Sequence, residues 1–69
     1  MSEPLPELVE QSLQIAWDFL DRTGEINDPH QTAEFLLTNI RDRALKGERR
    51  PLMLSNRAID AYRRQKLAA

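Results

Sequence analysis

Few residues of this chain could take part in chemistry, and those few are scattered. Asp28, His30 and Glu34 are the only close neighbours with the character of metal ligands. A metal site needs convergent donors at a characteristic spacing, and Asp28 is better employed capping a helix in front of Pro29. His30 and Glu34, four residues apart, then read as an exposed ion pair. Nucleophilic catalysis needs a nucleophile, a base beside it and a third group that orients the base. The chain has one His and no Cys, and its candidate hydroxyls have local employment: Ser55 as a helix cap, Thr23 in a helix-ending turn, Tyr62 on an inner helix face. The carboxylate pairs Glu7 with Glu10 and Asp18 with Asp21 stand three apart on a solvated helix side, where nothing apolar tunes them for acid–base work. Gly24 and Gly47 are too far apart for a phosphate-cradling loop. The expectation is a protein with no catalytic activity, no cofactor and no metal.

Charge divides along the chain. Met1 to Asp28 holds seven acids and one base, Arg22, while Pro29 to Ala69 holds four acids and nine bases, for a net charge of −1. Each half could attract an oppositely charged partner, but the split names no substrate.

The elements that must position these residues are three helices. Leu5 to Arg22 follows a helical period, with Pro4 and Pro6 at its entry and Thr23-Gly24 as its stop. Its apolar side chains, from Leu5 through Leu8, Val9, Leu13, Ile15, Ala16, Trp17, Phe19 and Leu20, span an arc of roughly 200°, wide enough to require more than one neighbour. Asp28-Pro29-His30-Gln31 is a helix start, with Asp at the cap, Pro at the first turn and Gln at the third position. That helix runs from 29 to 45, presents Ala33, Leu36, Leu37, Ile40 and Ala44 as its stripe, and stops at Lys46-Gly47. The third helix is placed at 56 to 67, with Ser55 as its cap and Leu54 and Ile59 as a hydrophobic staple; a start near Pro51 is the alternative. No alternating β-branched run or hairpin turn occurs. The fold class is all-α: a single compact three-helix domain over residues 1 to 69, with short connections. Its core is drawn from Leu8, Val9, Leu13, Ala16, Leu20, Ala33, Leu36, Leu37, Ile40, Ile59 and Tyr62.

At 69 residues without cysteine, the domain lacks the staples that reinforce miniature folds, which makes self-association a natural expectation. No window approaches the roughly 18 apolar residues of a membrane span. The acidic N-terminus is unlike a secretory signal, so a cytoplasmic protein with no membrane contact is expected. Three apolar residues fall off the main stripes: Phe35 on the far side of the second helix, Trp17 at the edge of the first helix's arc, and Leu45. Outlying aromatics that join into a patch mark interfaces, and these three are the candidate contact with a protein partner or a second copy of the chain. The alternative is nucleic-acid binding through Arg49, Arg50, Asn56, Arg57, Arg63 and Arg64, on the third helix and the link before it. Against it, Asp60 interrupts that face, and the pI near 5.7 lacks the strongly basic footprint of a nucleic-acid domain.

Overall fold

The first helix, α1 (Leu5–Arg22), stops where Gly24 takes a left-handed φ of +72°. The Glu25 amide donates to the Leu20 carbonyl at 2.9 Å and the Gly24 amide to Asp21 at 3.2 Å, which is the Schellman pattern for satisfying a helix's last carbonyls. The same device closes α2 (Pro29–Leu45), with Gly47 at φ +118°, Glu48 donating to Arg43 and Gly47 to Ala44. α2 begins as its sequence predicts: Asp28 is extended, and its carboxylate accepts from the Gln31 amide at 3.2 Å. The third helix, α3 (Pro51–Ala68), starts at the alternative position, Pro51, five residues before 56. Pro51 opens the first turn, where its missing N–H removes nothing. Ser55 is not a cap. It is fully buried inside the helix, and its hydroxyl donates back to the Leu52 carbonyl at 3.0 Å. Leu54 is a core residue rather than half of a staple.

The computed structural model describes residues 5–68; Pro4, expected at the entry of α1, lies outside them. Every pair of helices is in contact, and no strand occurs among the described residues. The chain is an all-α three-helix domain.

The core follows spacings of four: Leu8, Ala16 and Leu20 from α1, Leu36, Ile40 and Ala44 from α2, Leu54, Ala58 and Tyr62 from α3, with Val9 and Ile59 beside them. Burying each of the large aliphatic side chains contributes roughly 1.5–3 kcal/mol, so these few positions hold most of the fold. Three expected core members, Leu13, Ala33 and Leu37, are only half-buried. They lie where α1 meets α2 with no third helix above them. Ser12 and Thr32 complete the spacing of four on α1 and α2 as buried hydroxyls, with Ser12 donating to the Leu8 carbonyl at 2.8 Å.

Candidate functional site

Two surfaces of different character emerge. The first is a groove between α1 and α2. Side chains at every fourth position, Leu5, Val9, Leu13 and Trp17, form one wall, and Ala33, Leu37, Arg41 and Leu45 form the other. The helices run antiparallel, so Leu5 lies at the Leu45 end and Trp17 at the Ala33 end. A concavity of about 490 Å³ occupies the Leu5 end, and a second of about 350 Å³ continues it past Trp17; Glu10 and Leu13 line both. No residue of α3 lines either one. Leu45 is 65 % exposed.

The outlying residues are therefore divided. Trp17 and Leu45 share this groove, and Phe35 does not. Phe35 is half-buried on the opposite flank of α2, its ring centroid 5.9 Å from that of Tyr62. It looked anomalous only because one stripe was drawn for α2. A helix wedged between two neighbours buries two flanks, and Phe35 packs on the one facing α3.

The second surface is a polar junction at the α1–α2 link. The Glu25 carboxylate accepts from Arg63 Nε at 2.9 Å, from Arg63 Nη2 at 2.7 Å and from the Thr23 hydroxyl at 2.5 Å. Those bonds, the Arg63 pair first, hold its pKa down at about 2. The Glu25 carbonyl accepts from the Tyr62 hydroxyl and from Lys66 Nζ, both at 3.0 Å. With its one proton committed to that carbonyl, Tyr62 must accept from the Thr32 hydroxyl, 3.0 Å away. Arg63 also lies over the Phe19 ring at 5.2 Å, and Lys66 over the Tyr62 ring at 5.2 Å. Among the described residues this is the one ion pair that joins distant parts of the chain; the others lie within a turn or a link. The long reach of Glu25 left no local mark in the sequence beyond the opposite charges of the two halves.

No protein-family model, curated protein or solved structure matches this chain.

The six residues of the nucleic-acid alternative are dispersed. Arg49 donates to the Ala44 carbonyl at the end of α2. Arg50 pairs with Glu48 at 3.1 Å, and its hydrogen bond lowers the Glu48 pKa. Arg63 belongs to the junction, and Arg64 pairs with Asp60 at 2.9 Å. Asn56 and Arg63 line a cleft against α1 with Ile15 and Phe19, whereas Arg57 and Arg64 line a concavity against α2. Arg43 joins Arg57 and Arg64 there, a neighbour that only the packing of α2 on α3 reveals.

His30 and Glu34 form the expected exposed pair at 3.4 Å. Among the described residues no group of three or more His, Asp or Glu could hold a metal ion, and no helix is long and apolar enough to cross a membrane. Glu7, Glu10, Asp18 and Asp21 are exposed, as the α1 pattern predicts.

Proposed function

We propose that this domain is a non-catalytic protein-interaction module whose contact face is the α1–α2 groove. One observation carries the reading: apolar side chains repeat every fourth residue along the α1 wall, and Ala33, Leu37 and Leu45 stand on the α2 wall with Arg41 between them, in a groove that the third helix leaves uncovered. Leaving such a strip in water forgoes roughly 25 cal/mol for each Å² that a partner could cover, and aromatic anchors such as Trp17 concentrate the energy of interfaces. The test is a photo-crosslinking residue placed at Leu45, with the same residue at Arg57 as the control on another face. Crosslinks to a polypeptide from position 45 and none from 57 are expected. Absence of crosslinks from position 45 would sink the proposal.

The nucleic-acid reading retains one specific support, the concavity that Arg43, Arg57 and Arg64 line, where Asp60, paired with Arg64, is the opposing charge. Phosphate contacts weaken steeply with salt, whereas an apolar groove responds little. A titration with short DNA and RNA at two salt concentrations separates the two readings.

A further inference from the structure

We infer that the occupant of the α1–α2 groove is the same groove of a second copy, giving a symmetric dimer in which α1 of each copy lies over α2 of the other. This inference rests on the groove being an interaction face, and it adds the partner and the arrangement.

Two features of the surface favour a second copy. The first is extent. Helices of 18 and 17 residues are each about 26 Å long, and side by side they offer a face about 20 Å wide. Side-chain relief brings that face toward the ~800 Å² per partner of a standard interface. A single docked helix, about 10 Å across, would cover only half of its width. Another pair of antiparallel helices matches it, and the chain itself presents such a pair.

The second is charge. Glu10 and Arg41 line the same stretch of the groove from opposite walls. Both are exposed, and neither forms an ion pair among the described residues. A two-fold axis parallel to the helices moves α1 over the other copy's α2 without changing its height. Glu10 of each copy then faces Arg41 of the other, twice, around a centre made of the half-buried Leu13 and Leu37. An axis across the helices would instead lay α1 along α1. Each α1 carries four acids against one Arg, so that contact sets like charges opposite one another, which disfavours it. The face is complementary to itself under one operation and repels itself under the other, and a closed two-fold contact is the commonest form of association.

The experiment is sedimentation equilibrium of the full chain up to about 1 mM, where even weak pairs assemble. Variants Glu10→Arg, Arg41→Glu and the double exchange accompany it, with circular dichroism to verify folding at these exposed sites. Wild type is expected to dimerise. Each single variant should raise Kd about tenfold or more, and the double exchange should recover most of that loss. A double exchange no tighter than the single variants overturns the arrangement. Wild type monomeric throughout overturns the second copy. If position 45 still crosslinks to a different polypeptide, the groove remains an interaction face; if it crosslinks to nothing, both readings fall.

Discussion

At the α1–α2 link, polar groups from three segments satisfy one another. Along the α1–α2 groove, apolar groups from two helices are left facing outward. Both regions involve the same helix pair, and the difference lies in where α3 sits. Its C-terminal half reaches back to the link, where Tyr62, Arg63 and Lys66 find Glu25 and Thr32. It covers one side of the α1–α2 pair and leaves the other bare. In so small a domain, three helices suffice to close one side of a two-helix layer. The closed side should govern whether the chain folds, and the open side what it touches once folded.

The largest test of that division is Tyr62→Ala, which removes a buried ring and its hydrogen bonds and should cost about 3–5 kcal/mol. A domain of this size rarely holds more than that, so chemical denaturation should find the variant largely unfolded. Tyr62→Phe retains the ring and should cost about 1–3 kcal/mol, because buried partners lose their hydrogen bonds. An unfolding midpoint unchanged in both variants would show that the junction does not hold the fold.

Glu25 sharpens the comparison through pH. Its carboxyl takes up a proton near 4.5 in the unfolded chain but only near 2 in the folded one. Its contribution is therefore whole above pH 4.5 and is lost as pH falls toward 2, where the unfolded state binds the proton first. Glu25→Gln should be less stable than wild type at neutral pH and lose less stability across that acid window. Urea midpoints measured from pH 2 to 7 give the answer, and parallel curves for the two proteins would contradict it.

The smallest expected change lies on the open side. Leu45→Glu should leave stability within about 0.5 kcal/mol of wild type while weakening association. Thermal unfolding at a concentration that keeps both proteins monomeric checks the first part. A large loss of stability would mean that the groove belongs to the core after all.

The helix ends of α1 and α2 were legible because each rests on local chemistry: a left-handed glycine at Gly24 and at Gly47, and a cap at Asp28. The start of α3 was legible only as one of two, because Ser55 could serve as a cap or as an interior residue bonded to its own helix, and its burial decides for Pro51. Leu13 and Leu37 were recognisable as apolar but not as rim residues, since periodicity shows which side of a helix is greasy and not how many neighbours cover it. Phe35 was misplaced for the same reason. Trp17 and Leu45 were singled out from the sequence and lie at opposite ends of one groove. The Glu25 junction joins residues 37 to 41 positions apart, beyond any rule based on spacing.

The chain has a single tryptophan and a single tyrosine, and they fall one in each region: Trp17 half-buried on the open groove, Tyr62 buried in the closed junction. Indole emission will therefore follow the outward face, and the ultraviolet absorbance of the phenol will follow the inward one. Docking and unfolding can be watched as two separate optical signals in one unlabelled sample.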